Sequence, residues 1–278
     1  MRAVAQAVGR ETGRPARLQG FPLLARQVWR RRSAAVGVLV LLAVAISAVG
    51  APWLAPASPY AQRLLNRLTP PGGQHLLGTD QFGRDLLSRL MWGGRVSLLV
   101  AVAAVGGAAV IGTGMGLAAG YFGGVYDQVV MRVVDVLMAF PVILLAIAIL
   151  AVLGSGVGNL IIAITVSGLP HFARLIRAET LRLRELDFVE AARALGASHA
   201  TVMVRHILRN TLSPVVILAT LRVSTAILTE STLSFLGLGI SPPTPTWGGM
   251  VSDGLRFLQL APWASIIPGL AITVAVLA

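Results

Sequence analysis

Three groups of side chains in this sequence are placed to do chemistry. His75, Asp80 and Asp85 lie in one short stretch, and all are residue types that ligate divalent metals. The same stretch has a simpler reading. Asp85 and Arg89 are four apart, the spacing of an ion pair on one helix face, and Thr79 or Asp80 is positioned to cap that helix. The second group interrupts an apolar run with Arg222, Ser224, Thr225, Thr229, Glu230, Ser231 and Ser234. Arg222 and Glu230 are about two helical turns apart, on neighbouring faces. Ionisable groups at membrane depth are costly and face a bundle interior or an aqueous cavity. The two charges therefore either pair through intermediate side chains or line a translocation path. The third group is Arg132 and Asp135, three apart and spaced to pair on one helix.

Other chemistry is excluded by composition. With no Cys there are no disulfides, thiolate metal sites or thiol nucleophiles. All 23 basic residues are Arg, so the chain lacks the Lys that a phosphate-binding P-loop or a Schiff-base enzyme requires. ATP-driven work would need ATP hydrolysis on another chain. No paired Asp, HExxH or Ser–His arrangement lies within the apolar runs, which argues against an intramembrane enzyme.

The elements that must hold these groups are membrane helices. Of 278 residues, 55% are hydrophobic and 12% charged, about half the charged share of a soluble domain, and mean hydropathy is +0.78. Residues 96–126, 136–173 and 257–278 contain no Asp, Glu, Lys or Arg, and about 20 apolar residues suffice to cross a bilayer. The expected fold is an all-α polytopic membrane protein with a domain over 33–278 and six spans. These fall at about 34–50, 96–119, 128–153, 160–176, 214–236 and 262–278. The first span reads as an uncleaved anchor. A polar loop fills 177–213, and prolines 242, 243 and 245 mark a loop before the last span. Residues 1–32 form a basic leader in which Phe21, Leu24, Val28 and Trp29 recur at the spacing of a surface helix. The sequence stops at Ala278 while still apolar, so a short cytoplasmic tail is expected beyond it. In the second span Ala104, Ala108, Gly112, Gly116 and Gly120 form a small-residue ridge suited to close helix approach.

Six spans put both termini on one side. With the N terminus inside, sixteen Arg fall on the inner side and six on the outer, with Arg222 inside a span. That bias predicts an N-in, C-in orientation. It also accounts for the net charge of +12 without nucleic acid as a partner.

Within 177–213, residues 190–210 read as a short helix, a stop at Gly196 and a second amphipathic helix. Glu190 favours the N-terminus of the first, and Ala191 and Ala192 leave a small surface on which another protein can sit. This segment resembles the EAA loop of permease subunits of ATP-binding-cassette importers, matching at Glu190, Ala191, Ala192 and Gly196. Arg209 stands where that loop usually has Pro. A second segment, 75–98, resembles the signature of the C-type permease of the dipeptide, oligopeptide and nickel importer group. The match falls at His75, Gly78, Thr79, Asp80, Gly83, Arg84, Asp85, Ser88, Arg89, Gly94, Arg95 and Ser97. Stretches 120–141 and 228–250 resemble the same group.

The resemblance implies a transport subunit, not an enzyme, that moves a peptide-like solute inward by alternating access. It implies a bacterial inner (cytoplasmic) membrane location. Expected partners are a homologous second permease, two ATPase subunits that bind ATP and Mg, an extracytoplasmic binding protein and the lipid bilayer. No cofactor or metal is expected in this chain. The implied ATPase-coupling residues are Glu190, Ala191, Ala192, Gly196, Ala197 and Ser198. The outer motif His75, Gly78, Thr79, Asp80, Gly83, Arg84 and Asp85 would help receive the binding protein, and Arg222, Thr229, Glu230 and Ser231 would line the path. The main rival is an ion-coupled secondary transporter with Glu230 and Asp135 as proton sites, although such a carrier has no need of an EAA-type loop.

Overall fold

A computed structural model describes residues 32–278. The expected surface helix of the leader lies outside the described residues. Helix α1 (Arg32–Val49) runs to Gly50, and α2 (Ala51–Leu54) follows with Pro52 in its first turn, where a missing N–H costs nothing. An irregular segment then leads to α3 (Leu86–Phe122), a single helix of 37 residues. It starts a full ten residues before the expected span because Asp85 caps it, accepting from the Ser88 N–H at 2.8 Å. Gly123, at φ +66°, ends it.

The expected third span, 128–153, is not one rod. It is α4 (Gly124–Met138) and α5 (Val142–Leu153), set at 95° to each other. The break falls at residues 139–141, where Pro141 disfavours helical backbone at Phe140. Gly154 and Gly156, both at positive φ, turn the chain into α6 (Val157–Arg184). After the short α7 (Asp187–Ala194) comes α8 (His199–Phe235), which contains a π-helical stretch at Val202–Leu208. The fifth span thus begins before the expected Pro214. With Arg at 209 rather than Pro, the backbone N–H is kept and the helix passes through. The proline-marked loop leads to an unanticipated helix, α9 (Trp247–Leu255), and the last helix is α10 (Trp263–Leu277).

Among the described residues, α3, α6 and α8 are long and apolar enough to cross a membrane, and the bent α4–α5 pair makes a fourth candidate. Residues 35–49 of α1 and α10 itself are apolar but shorter. Among the described residues the fold is all-helical, and three helices, or four with the bent pair, meet the length of a span, with α1 and α10 as shorter apolar helices.

The small-residue ridge explains the central packing. Ala104 and Ala108 are buried, and α6 lies so close that a Cβ on Gly112 would sit 2.6 Å from the Leu169 carbonyl oxygen. On Gly116 it would meet the Ala173 oxygen, and on Gly120 the Thr180 Cβ at 2.7 Å. Backbone contact of this kind is how helices associate where lipid is as apolar as the side chains. At the far end of the same pair, Arg177 grips Asp127 bidentately, one contact being 2.6 Å, and the Arg184 guanidinium donates to the Gly120 carbonyl. Asp135 pairs with Arg174 at 2.7 Å, not with Arg132 as its spacing on the helix had suggested. These pairs tie the amphipathic α4 to α6.

Candidate functional site: coupling surface, path cavity and outer motif

Helix α7 owes its place to one residue. Val189 is fully buried among Leu117, Tyr121, Ile176, Leu183, Val202 and Ile207, which leaves the opposite face outward. Glu190 and Ala191 are exposed, while Ala192 is half-buried. The helix ends at Gly196, whose φ of +83° reverses the chain with open space around it. Ala197 is half-buried there, and Ser198 caps α8 by accepting from the Thr201 N–H. Of the six residues singled out in the sequence, Glu190, Ala191, Gly196 and Ser198 are exposed and Ala192 and Ala197 half-buried. Leu195, 89% exposed, and Phe188 stand beside them and were missed. Their signal was apolar type next to a helix-stopping Gly.

The surface is fastened to α3. His199 Nδ1 lies 2.8 Å from the Tyr121 hydroxyl, and the Arg193 guanidinium sits over the Tyr121 ring at 5.2 Å.

Arg222 and Thr229, with Thr225 between them, line an open cavity of about 310 Å³ bordered by α3, α5, α6 and α8. Glu230 does not join them. It is 0% exposed and accepts from Ser234 Oγ at 2.8 Å and from Ser231 Oγ, both on α8. Ser97 Oγ of α3 accepts from the Trp247 N–H at the start of α9. A Cβ on Gly248 would collide with the Ser231 carbonyl. Glu230 and Ser231 are thus sealed in a joint between α3, α8 and α9, away from the cavity, and Glu230 makes no pair with Arg222. Ser231 and Ser234 lie on α8 itself, but sequence spacing could not reveal the packing of α3 and α9 that seals the joint.

The outer motif folds into a hydrogen-bonded knot rather than a helical ion pair. The Asp80 carboxylate accepts from the Phe82 and Arg84 N–H groups (2.8 and 3.0 Å) and from Arg84 Nε (2.6 Å), and it lies 3.3 Å from Arg89 Nε. Asp85 accepts from the Ser88 N–H and hydroxyl and from His75 Nδ1 at 2.9 Å. Asp85 is therefore the cap, in place of Thr79 or Asp80, and Arg89 pairs with Asp80 instead of Asp85. Of the three metal-ligand types, His75 and Asp85 meet while Asp80 turns to two arginines. Thr79 Oγ1 accepts from the Thr69 N–H, and the Trp263 indole N–H at the start of α10 donates to the Thr79 carbonyl. Gly78 and Gly83, both at positive φ, supply the turns, and a Cβ on Gly83 would overlap the Arg63 backbone. A second cavity, about 610 Å³, lies between this knot, the 237–246 loop and α9, with Arg67, Arg84, Asp253 and Arg256 among its walls.

Ser155 and Ser241 are 3.1 Å apart, which gathers the α5–α6 and α8–α9 loops at one end, whereas Tyr121, Arg184 and His199 gather at the other. The knot and the outward face of α7 thus lie at the two ends of α3.

Against known proteins, residues 112–278 match the family described as binding-protein-dependent transport system inner membrane component. Residues 23–71 match the N-terminal transmembrane domain of oligopeptide transport permease C. The dipeptide transport system permease protein DppC of Alkalihalophilus pseudofirmus is 43% identical over 252 residues, 91% of this chain and 83% of that one. The glutathione transport system permease protein GsiD of Escherichia coli is 44% identical over 261 residues, covering 91% and 85%. Its counterpart from Pectobacterium atrosepticum is 42% identical over 259 residues, covering 91% and 86%.

Proposed function

This chain belongs to the family of binding-protein-dependent transport system inner membrane components, and from that premise we propose that it forms half of the path by which an ATP-driven importer carries peptides inward. The observation that carries the reading is the outward face of α7. Glu190, Ala191 and Leu195 are presented on a helix pinned from behind by Val189, next to a Gly-made turn. An ATPase subunit seated there moves α7, and the Tyr121–His199 and Arg193–Tyr121 contacts pass that movement to α3. ATP and Mg are bound on the ATPase chains.

In this reading the bilayer is crossed six times, by α1, α3, the bent α4–α5 pair, α6, α8 and α10, with both termini inside. The arginine bias supports that orientation. The knot around Asp80 and Asp85 then lies outside, where an extracytoplasmic binding protein delivers the solute, in the inner membrane of a bacterium. A homologous permease supplies the other half of the path, two ATPase subunits drive it, and Arg222 and Thr229 face the solute. The peptide assignment is supported by relatives named for dipeptide and glutathione transport.

An ion-coupled carrier fits less well. Glu230 is sealed from the cavity, and Asp135 is held in an exposed pair with Arg174 and does not line it, so neither carboxylate faces the path. The test is purification with the companion chains, followed by uptake of a labelled dipeptide into proteoliposomes. Uptake that needs ATP and ignores an imposed proton gradient is expected. Gradient-driven uptake by this chain without an ATPase would overturn the reading.

A further inference from the structure

The cavity between α3, α5, α6 and α8 has an uneven supply of hydrogen-bonding groups. Each hydroxyl on its wall is turned to its own helix. Ser167 donates to the Ala163 carbonyl, Thr225 to the Arg222 carbonyl and Thr229 to the Thr225 carbonyl. Their protons are spent, so their oxygens can only accept. The cavity is otherwise apolar, with Val142, Phe172 and Leu228 among its walls. Its one guanidinium is that of Arg222, and among the described residues no carboxylate lies within ion-pair distance of it. The adjoining cavity, which shares Val142 and Ser167, adds His171 and no acid. Arg89, Arg174 and Arg177 each meet an Asp, while Arg95, Arg132, Arg193, Arg205 and Arg209 share with Arg222 the lack of a carboxylate within ion-pair distance among the described residues; Arg222 is the one of these that lines the cavity. An unpaired cation at membrane depth is costly unless something mobile neutralises it.

Geometry gives that partner a size. Arg222 and Thr229 are seven residues apart on one helix face, about 10 Å. An extended tripeptide spans the same distance at about 3.5 Å per residue. Resting on the reading of this chain as a peptide importer subunit, we propose that Arg222 is a carboxylate-receiving station in the path, so that the subunit itself selects solutes ending in a free carboxylate. The guanidinium takes the C-terminal carboxylate through charge-assisted hydrogen bonds. The hydroxyl oxygens of Thr225 and Thr229 accept from the peptide N–H groups behind it. Because α8 runs from the coupling surface towards the opposite end, Arg222 lies deeper than Thr229, and the solute enters carboxylate first.

The test uses the complete reconstituted complex with binding protein preloaded to saturation, which cancels that protein's own preference. Uptake of a labelled tripeptide is compared with uptake of its C-terminal amide, in wild type, Arg222→Gln and Arg222→Lys. In the wild type the free acid should pass about tenfold faster than the amide, the value of one charge-assisted contact. Arg222→Gln should lose that preference by slowing the free acid, and Arg222→Lys should keep most of it. Equal wild-type rates for acid and amide would overturn the station, and this comparison decides even if Arg222→Gln fails to assemble. An assembled Arg222→Gln complex that still prefers the acid would also overturn it. Wild-type complex that moves no peptide under any condition would instead refute the peptide-importer reading on which the station rests.

Discussion

Replacing Gly116 by Ala adds a single methyl group where α3 touches α6. The new Cβ would stand well inside contact distance of the Ala173 carbonyl oxygen and 2.9 Å from the Arg177 nitrogen. Both obstacles are backbone, so neither can swing aside as a side chain would. Reaching an ordinary separation of about 3.5 Å requires the helices to part by roughly 1 Å. Overpacking of this kind costs about 1–3 kcal/mol. Parting also loosens Gly112 and Gly120, which face the same helix. The intrinsic helix preference of Ala over Gly works the other way, by up to about 1 kcal/mol. Gly106 and Gly114 on the same helix provide the reference, since a Cβ there meets nothing within 4 Å. In Gly106→Ala and Gly114→Ala only the favourable preference remains. The difference between these variants and Gly116→Ala therefore isolates the clash at about 1–3 kcal/mol. Unfolding of the purified complex in mixed detergent micelles, followed by helical signal, measures that difference. If Gly116→Ala unfolds together with its two controls, the backbone contact between α3 and α6 does not hold the fold as argued.

Three further outcomes follow from particular residues. Gly196→Val meets no neighbour but forces a β-branched residue to φ +83°, a strain of about 1–3 kcal/mol; transport should fall severalfold while the chain stays in the membrane, measured as uptake per immunoblotted subunit. Asp80→Ala strands the buried Arg84 and Arg89 and should cost about 3–5 kcal/mol, whereas Asp85→Ala loses a helix cap and leaves the neutral Ser88 hydroxyl and His75 without their acceptor, about 1–3 kcal/mol; thermal unfolding of the two complexes should rank them in that order. A reporter fused at Gly72 should read outside and one at Ser198 inside, and the same reading at both sites would remove the six-span topology.

Much of the scaffold was legible because lipid imposes long uncharged runs. The ridge from Ala104 to Gly120 could be read from its spacing, and the structure places its glycines against α6 backbone. The positive φ of Gly196 likewise follows from a Gly between two helical patterns. What sequence spacing missed has a common physical origin. Asp85 and Arg89 are correctly spaced for a helical pair, but Asp85 is spent as the cap and Arg89 leans across to Asp80 in the preceding turn. Arg132 loses Asp135 to Arg174 of another helix. Glu230 is held by Ser231 and Ser234 and closed in by the approach of α9, and α9 itself was hidden behind three prolines. For Asp135 and Glu230 the deciding neighbour is distant in sequence, whereas for Asp85 and Arg89 it is a nearby group in the turn before the helix, whose shape helical spacing does not describe. The bend between α4 and α5 was signalled by Pro141 yet masked by an uncharged run continuing through it.

The central claim is that an ATPase subunit sits on the exposed face of α7. Because the chain has no Cys, a single thiol can report on that contact without background. Ala191→Cys, Leu195→Cys and, as a control at the opposite end of α3, Gly72→Cys should be labelled with a maleimide–benzophenone, which needs no thiol on the partner, and irradiated in membranes containing the whole complex. Cross-links to the ATPase chain at 191 and 195, altered on addition of ATP, and none at 72 are the predicted result. Failure of both α7 thiols to reach the ATPase in a complex that transports normally would contradict the account.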